Sequence, residues 1–252
     1  MKRNRVPDST ELIEAVWSAP AGVRAVVTTR KGGVSEPPFA SFNLAEHVGD
    51  ARQAVHANRQ RLRKLLNLEG QPCWLAQVHG AEVVMAGNYV EPPVADASIS
   101  RERGRVCAVL TADCLPVLLC NRTGNCVAAA HAGWRGLAAG VIEATLAAME
   151  TSADEVLAWL GPAIGPAAYE VGDEVRARFI EADEHSAAAF QANERGRWQA
   201  DLYALASIRL RAADVSNITR FRHCTYAEPE RFYSHRRDGR CGRMAALIWL
   251  ER

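Results

Sequence analysis

The stretch VCAVLTADCLPVLLCNRTGNCVAAAHAGWRG, residues 106–136, predicts the centre of the fold. It contains two apolar runs that favour β-strands, and each run ends at a residue that packing alone does not explain. The first run breaks at Asp113 and Cys114, just before Pro116. The second leads through three alanines into His131, a glycine-flanked turn and a helix. Because α/β proteins bind ligands where strands end, this stretch indicates a binding site at a sheet edge.

Composition excludes several classes of function. The chain has 252 residues and is 48% hydrophobic, enough for one large domain or two packed halves. Lys and Arg number 30 against 29 Asp and Glu, so charge does not indicate binding to nucleic acid or to an anionic membrane. The N-terminal segment MKRNRVPDSTELIEAVW has no apolar run typical of a secretory signal. No apolar run in the chain is long enough to span a membrane. We therefore expect a soluble cytoplasmic protein, and no oligomeric state is predicted.

Periodicity predicts a mixed α/β fold with helices outside the sheets and no linker. Besides the two runs of the opening stretch, strands are predicted at residues 23–29, 74–78, 82–85, 156–160, 217–220 and 245–250. Helices are predicted at residues 51–67, 137–150 and 202–213 and from about residue 173, with Asp50 and Asp201 as N-caps. The segment after Asp96 is predicted to be polar, residues 183–197 helix plus loop, and residues 226–243 irregular and basic.

Three residues at predicted strand ends, His79, Cys114 and His131, are candidate ligands of a metal ion. Imidazole nitrogen and thiolate sulfur are donors that suit Zn²⁺, and three protein ligands with an open fourth position are typical of a catalytic site. Taken singly, each is as readily a buried cysteine or a hydrogen-bonded structural histidine. A fourth protein ligand, for example Cys73 or Cys107, would instead indicate a structural metal. The other cysteines form no C-x-x-C pair, a disulfide framework is not expected, and most of them are predicted to be buried.

Other residues have two interpretations each. Asp113 either orients a ligand or moves a proton beside the metal, or it caps a turn. Trp134 and Arg135 either contact a planar or anionic ligand or belong to the core. Arg236, Arg237 and Arg243 either bind phosphate or lie in a solvated loop.

The remaining polar candidates have weaker support. Asn43 is either a substrate hydrogen-bonder or an Asx-turn residue, and the turn is favoured. His235 stays undecided. The following histidines are predicted to be surface or structural: His47, His56, His185 and His223.

Six segments match one known family in order: SFNLAEHVGD, QVHG, TADCLPVLL, HAGWRG, GPAIGPAAYEVGDEV and FYSHRRDGRCGRMAALIWL. Together they resemble the YfiH family, also called the laccase-domain or polyphenol-oxidoreductase family and the peptidoglycan-editing-factor family. The match runs from about residue 23 to the C-terminus, and several of its motifs have six or more residues. After the A-D-A motif the family commonly has an apolar segment that ends in Thr, whereas this chain reads ADASIS.

The resemblance implies a single domain over residues 1–252, with α/β/β/α layers similar to the catalytic domain of cytotoxic necrotising factor and with residues 1–20 peripheral. It implies one Zn²⁺ bound by His79, Cys114 and His131, with water or substrate as fourth ligand, and older family names make Cu²⁺ an alternative. Asp113, Cys114 and His131 are then the catalytic candidates. The candidate substrate-binding residues are Asn43, Gln77, Trp134, Arg135, Glu170, Arg236 and Arg243.

The resemblance also implies a purine nucleoside phosphorylase. Its substrates would be phosphate with adenosine, inosine, guanosine or 5′-methylthioadenosine, and its products the free base and ribose 1-phosphate. Adenosine deaminase activity is implied as well, although the H-x-E and P-C-x-x-C pattern of the usual zinc nucleobase deaminases is absent. Asp113 or Glu170 would then transfer the proton.

Three other functions stay open at this point. Cys114 as nucleophile and His131 as base would make an amide hydrolase that acts on a peptidoglycan precursor. A copper-dependent polyphenol oxidase is the second, but the chain has only 7 His and no His-x-His pair for linked coppers. The third is a non-catalytic binding protein whose metal is structural.

Overall fold

The central strands are apolar along their length because both of their faces are buried. The computed structural model describes residues 11–252 and contains a six-stranded sheet in the order β12–β8–β6–β7–β4–β3. Its strands are β3 (Val83–Met85), β4 (Ala97–Ser100), β6 (Leu115–Asn121), β7 (Val127–Ala132), β8 (Val156–Leu160) and β12 (Asn217–Arg220). Neighbours are antiparallel except for β12 with β8 and β3 with β4, which are parallel. Alternate residues of β6 to β8 therefore pack into two separate cores.

A second sheet lies against the first. It is antiparallel in the order β1–β2–β13–β5. Its strands are β1 (Leu12–Glu14), β2 (Val23–Thr28), β5 (Val106–Thr111) and β13 (Met244–Leu250). Val109 and Ile248 of this sheet share one core with Leu118 of the six-stranded sheet, so the two sheets pack face to face.

Helices cover the outer face of each sheet. On the four-stranded sheet lies α1 (Arg52–Leu65), and its Leu62 packs in a third core with residues of that sheet. On the six-stranded sheet lie α2 (Trp134–Ala139), α3 (Val141–Met149), α4 (Asp173–Ala182) and α5 (Leu202–Ala212). A small sheet in the order β10–β11–β9 (Phe190–Ala192, Trp198–Ala200 and Glu170–Val171) and the short helix α6 (His235–Asp238) complete the chain. The predicted α/β/β/α layering is confirmed.

Several predicted elements were wrong. Residues 74–78 form no strand, because their only ladder contact is an isolated bridge between Ala76 and Val94. The segment after Asp96, predicted to be polar, is β4, since Ser98 and Ser100 are buried between neighbouring strands. The helix predicted at residues 137–150 is two helices, because Gly140 adopts a left-handed φ of 89° between them. Residues 183–197 contain a 3₁₀ turn, Glu184–Ala189, followed by the unpredicted strand β10.

The helix starts differ in their caps. The Asp201 side chain caps α5 as predicted, accepting a hydrogen bond from the amide of Ala204. Asp50 does not cap α1, whose N-cap is Ala51. One of its carboxylate oxygens instead accepts hydrogen bonds from Ser35 and Asn43.

The N-terminal residues contribute to the fold from Leu12 onward. Residues 12–14 form the edge strand β1, and Ile13 is buried in the core between the sheets. The expectation that residues 1–20 are peripheral stays a prediction: β1 lies at the edge of its sheet, and residues 1–10 lie outside the described part of the chain. No helix within residues 11–252 is both long enough and apolar enough to cross a membrane.

Candidate functional site

One edge of the six-stranded sheet brings His79, Cys114 and His131 together. Cys114 immediately precedes β6 and His131 lies near the end of β7, and the two strands are antiparallel neighbours. His79 lies on the loop before β3, and its ring meets that of His131 edge to face with centroids 4.7 Å apart. The ligand atoms of the three residues all lie within 4.8 Å of one another. Residues 35 and 17 positions apart along the chain (79 to 114, 114 to 131) thus form one group.

This group could hold a metal ion. Two imidazoles and one thiolate form the mixed nitrogen and sulfur donor set that zinc and copper accept. His131 is buried and His79 is exposed, which leaves the His79 side open toward solvent. Cys73 and Cys107 are free thiols buried in the core between the sheets, and neither belongs to the group of potential ligands, so neither supplies a fourth ligand.

Electrostatics favours the thiolate form of Cys114. Burial alone would raise the pKa of its thiol, but the neighbouring His131 and His79 outweigh burial and lower the pKa to about 6. Burial likewise lowers the pKa of His131, but Cys114 and Asp96 raise it to about 9. A thiolate is the form that binds metals and that acts as a nucleophile, so the site suits either chemistry.

Asp96, which was not selected from the sequence, supports this group from behind. Its side chain is fully buried, and it accepts a hydrogen bond of 2.8 Å from Nδ1 of His131. It also accepts hydrogen bonds from the backbone amides of residues 78–80. Burial raises the pKa of Asp96, but the bonds from His131 and from the Gly80 amide bring it below its usual value. The only sequence signal was an aspartate between two alanines, which is typical of many turns.

Gly133 lets the turn after β7 approach the group closely. A Cβ atom at this position would lie 2.8 Å from Sγ of Cys114 and 3.2 Å from Cδ2 of His79. Both separations are shorter than van der Waals contact. The glycine that precedes Trp134 is therefore required by space rather than by backbone conformation.

The group lines a pocket of about 410 Å³. Apolar side chains form part of its wall, among them Ile164, Tyr169 and Trp134. Another part of the wall is formed by arginine and histidine side chains: Arg135, Arg236, Arg243, His47 and His235. The pocket therefore combines potential metal ligands, apolar surface and positive charge.

Three arginines of the pocket have guanidinium groups without an acidic partner. Arg236 lies over the ring of Tyr169, 5.2 Å from its centroid, and donates to the backbone oxygen of Glu170. Arg243 donates to the backbone oxygens of residues 241 and 242. Arg135 lies 4.5 Å from the ring centroid of Trp134. Within residues 11–252 none of the three forms a salt bridge, so their charge is available to an anionic ligand.

Some residues selected from the sequence are not brought to the pocket. Asn43 is fully buried, and its amide bonds to Ala45, Asp50 and the Arg243 backbone, which agrees with the turn interpretation. The Glu170 carboxylate turns away, where it binds Arg195. These two residues hold local structure, and the substrate-contact prediction for them is not supported by their positions.

Gln77 and Asp113 line the pocket, but their side chains form hydrogen bonds with other parts of the protein. The Gln77 amide both accepts from and donates to the backbone of Leu110 in β5. Asp113 has a left-handed φ of 94°, which is strained for a residue with a Cβ. Its carboxylate accepts hydrogen bonds from the Thr225 hydroxyl and from the Arg236 amide. Asp113 therefore connects the metal-ligand strand to the arginine-bearing segment.

Three further pocket residues, His47, Tyr169 and His235, were not predicted to be site residues, although each lies in a segment that matches the family. His47 was predicted to be a surface or structural residue, yet it lines the pocket. Burial and the neighbouring Arg243 lower its pKa, so its imidazole is neutral at pH 7. His235, left undecided, also lines the pocket, and its Nδ1 donates to the backbone oxygen of Gly239. Tyr169 also lines the pocket, and the Arg236 guanidinium lies over its ring.

A family model described as multi-copper polyphenol oxidoreductase laccase matches residues 24–251. The chain belongs to this family. It is 53% identical over 236 residues to a Pseudomonas aeruginosa protein named purine nucleoside phosphorylase PA4543, covering 93% of this chain and 96% of that protein. It is 51% identical over 242 residues to Escherichia coli purine nucleoside phosphorylase YfiH, covering 96% and 99% of the two chains. The resemblance to the YfiH family is thus confirmed.

Solved structures of family members have the same fold. The crystal structure of Neisseria meningitidis protein NMB0706 matches with a TM-score of 0.92 at 46% identity, covering 96% of this chain and 99% of that one. The YfiH protein of Bacillus licheniformis matches with a TM-score of 0.85 at 29% identity, covering 91% and 93%. The layered α/β architecture is therefore common to relatives of this family.

Proposed function

We propose that the protein is a zinc-dependent purine nucleoside phosphorylase. The observation that carries the proposal is a single pocket with His79, Cys114 and His131 on one wall and unpaired guanidinium groups on another. Phosphate suits such arginines, because a guanidinium presents paired N–H donors to its oxygens. The names of relatives about half identical in sequence support purine nucleosides as the co-substrates. We include adenosine, inosine, guanosine and 5′-methylthioadenosine.

In phosphorolysis a phosphate oxygen forms a bond to C1′ of the ribose while the bond from C1′ to N9 breaks. The base leaves with the electron pair and takes up a proton, and ribose 1-phosphate remains. Arg236 and Arg243 would bind the phosphate and hold it for attack on C1′, which replaces a bimolecular encounter by a positioned one. When bound, zinc would supply a fixed positive charge that polarises an oxygen atom.

Apolar side chains would bind the rest of the nucleoside. Tyr169, Ile164 and Trp134 line the pocket and can cover the faces of a purine or ribose. Burial raises the pKa of Tyr169, so its hydroxyl stays protonated and can donate a hydrogen bond. Arg236 and Arg135 lie against the two aromatic rings, which couples the anion-binding groups to the apolar wall.

A second reaction, adenosine deamination, belongs to the same proposal. Water adds at C6 and ammonia leaves, which converts adenosine to inosine. Glu170 is bound to Arg195, and both oxygens of Asp113 accept hydrogen bonds within the protein. We therefore assign Asp113 a positioning role and do not assign proton transfer to Glu170.

One assay tests the two activities together. Protein of known zinc content is incubated with adenosine, with and without phosphate, and adenine is separated from inosine. We expect phosphate-dependent adenine and phosphate-independent inosine, and both should disappear in His131→Ala. His185→Ala is the matched control, because His185 is exposed and bonds only to Asp183. Adenine formation that needs no phosphate, or that persists in His131→Ala, would contradict the proposal.

A Cys–His amide hydrolase acting on peptidoglycan precursors is the second candidate. One observation favours it: Asp96, His131 and Cys114 follow one another as orienting acid, base and nucleophile do in such enzymes. His79 has no role in that arrangement, whereas it is a ligand in the metal site. Stoichiometric zinc with Cys114 protected from alkylation supports the phosphorylase, and a reactive metal-free Cys114 supports the hydrolase.

Copper remains an alternative metal for the same three ligands, as the family description suggests. Among residues 11–252, however, His79, Cys114 and His131 form the only group that could hold a metal. Linked copper centres would need further ligands, so we do not propose a multicopper oxidase.

A further inference from the structure

We propose that Asp96 is a positioning residue that sets two of the three metal ligands at once. The inference rests on the metal site of the proposed function but not on the purine nucleoside reaction. Asp96 precedes β4, a strand that pairs with β7, so the sheet itself fixes its place. Its backbone oxygen accepts from the amide of His131 at 2.8 Å, and its own amide donates to Glu82 at 3.0 Å.

One carboxylate oxygen selects the ring nitrogen that His131 offers to a metal. Nδ1 of His131 lies 2.8 Å from Oδ1 of Asp96. Because a carboxylate only accepts hydrogen bonds, Nδ1 must carry the proton. Nε2 is then the nitrogen that can lose its proton and bind a metal ion. A carboxylate behind a histidine ligand fixes ring orientation and makes the ligand nitrogen more basic.

The same carboxylate holds the loop that carries His79. Oδ1 accepts from the His79 amide at 2.9 Å, and Oδ2 accepts from Val78 at 3.1 Å and Gly80 at 2.7 Å. His79 has a φ of 62°, a left-handed conformation that costs free energy for a residue with a side chain. Three consecutive amides that converge on one anion compensate that cost and direct the ring toward His131.

The contacts of the Asp96 side chain are confined to the two histidines and the loop that carries His79. It is fully buried, and within residues 11–252 it forms no salt bridge with Lys or Arg. A buried carboxylate persists only where hydrogen bonds replace its hydration. All its side-chain bonds lead to residues 78–80 and to His131, and none leads to Cys114. Removing its charge should therefore disturb the two histidine ligands and leave the cysteine ligand in place.

The test is Asp96→Asn, with Zn²⁺ affinity measured by competition with a chelator. An Asn amide keeps the size but replaces one acceptor oxygen by a donor, so at least one amide or Nδ1 loses its bond. We expect affinity to fall about 10- to 100-fold, as for other groups that support metal ligands. With Co²⁺ as probe, the band from the cysteine sulfur should remain while the bands sensitive to tetrahedral geometry weaken. Asp201→Asn is the matched control, since Asp201 only caps α5 and Asn caps helices equally well.

Unchanged Zn²⁺ affinity and an unchanged Co²⁺ spectrum in Asp96→Asn would overturn the inference while leaving the proposed function intact. A wild-type protein that binds no metal would overturn the metal site and this inference together. If the variant does not fold, two measurements on the wild-type protein still test the inference. Nitrogen NMR of the metal-free protein should show a proton on Nδ1 of His131, and the amides of residues 78–80 should exchange slowly. A proton on Nε2 alone, or rapid exchange of these amides, contradicts the inference.

Discussion

Replacing Gly133 by alanine should weaken Zn²⁺ binding at the proposed metal site while leaving the fold in place. The added Cβ would lie 2.8 Å from Sγ of Cys114, whereas favourable contacts between such atoms begin at about 3.5 Å. Relief therefore requires a displacement of roughly 0.7 Å, and metal sites tolerate deviations of only about 0.2 Å in ligand distance. We expect Zn²⁺ affinity to fall at least about 10- to 100-fold.

The same change should cost stability by overpacking, about 1 to 3 kcal/mol in the metal-free protein. For a chain of this size that corresponds to a decrease in Tm of roughly 2 to 12 °C. If Cys114 rotates away, stability recovers but zinc binding does not, because the thiolate then points out of the group. Metal-free Tm and chelator competition thus measure two separate consequences.

Gly70→Ala is the matched control, because a Cβ there would meet no atom within 4 Å. It should keep the zinc affinity of the wild type and melt at the same temperature or slightly above it. A Gly133→Ala protein with zinc affinity within twofold of the wild type and an unchanged Tm would refute the reasoning. It would show that the turn after β7 does not approach Cys114 as closely as described.

Three further changes have expected outcomes of their own. In steady-state assays Arg236→Gln should raise the KM for phosphate about 10- to 150-fold, because the change removes one charged hydrogen-bond donor. The KM for nucleoside should change little, and the control Arg195→Gln should change neither constant. Thr225→Val should lower the free energy of unfolding by about 1 to 3 kcal/mol in urea titrations, because the Asp113 carboxylate loses one donor; an unchanged midpoint would argue against that bond. Asp201→Ala should cost about 1 kcal/mol through loss of the helix cap, visible as a Tm roughly 2 to 4 °C lower with unchanged zinc content.

The three metal-ligand candidates could be predicted because each follows or ends an apolar run. A polar residue directly after buried strand residues must lie at a sheet edge, and Cys114 and His131 do so on neighbouring strands. The position of His79 was predicted for a partly wrong reason, since residues 74–78 form only isolated bridges and no strand. Its loop approaches the edge because Ala76 bonds to the segment beside Val94, a tertiary contact that periodicity does not contain.

Asp96 and Asp50 show what local patterns omit. Both are single aspartates beside predicted elements, and both have the pattern of a cap or a turn. Asp50 instead bonds to Ser35 and Asn43, and Asp96 bonds to the loop at residues 78–80 and to His131. Each partner is distant in sequence or on another element. The residue type indicated a hydrogen-bond acceptor, but only the fold determined which donors reach it.

The positive charge of the pocket arises from the placement of acids and not from composition. Bases and acids number 30 and 29, so the chain as a whole has almost no field to attract an anion. Two acids beside Arg236 direct their carboxylates away from its guanidinium. Glu170 turns outward to Arg195, and Asp113 accepts from Thr225 and from a backbone amide. The backbone amide of Arg236 donates to Asp113, but its guanidinium forms no salt bridge within residues 11–252, so its charge is available to a ligand. A chain with almost equal numbers of acids and bases thus has a locally cationic pocket.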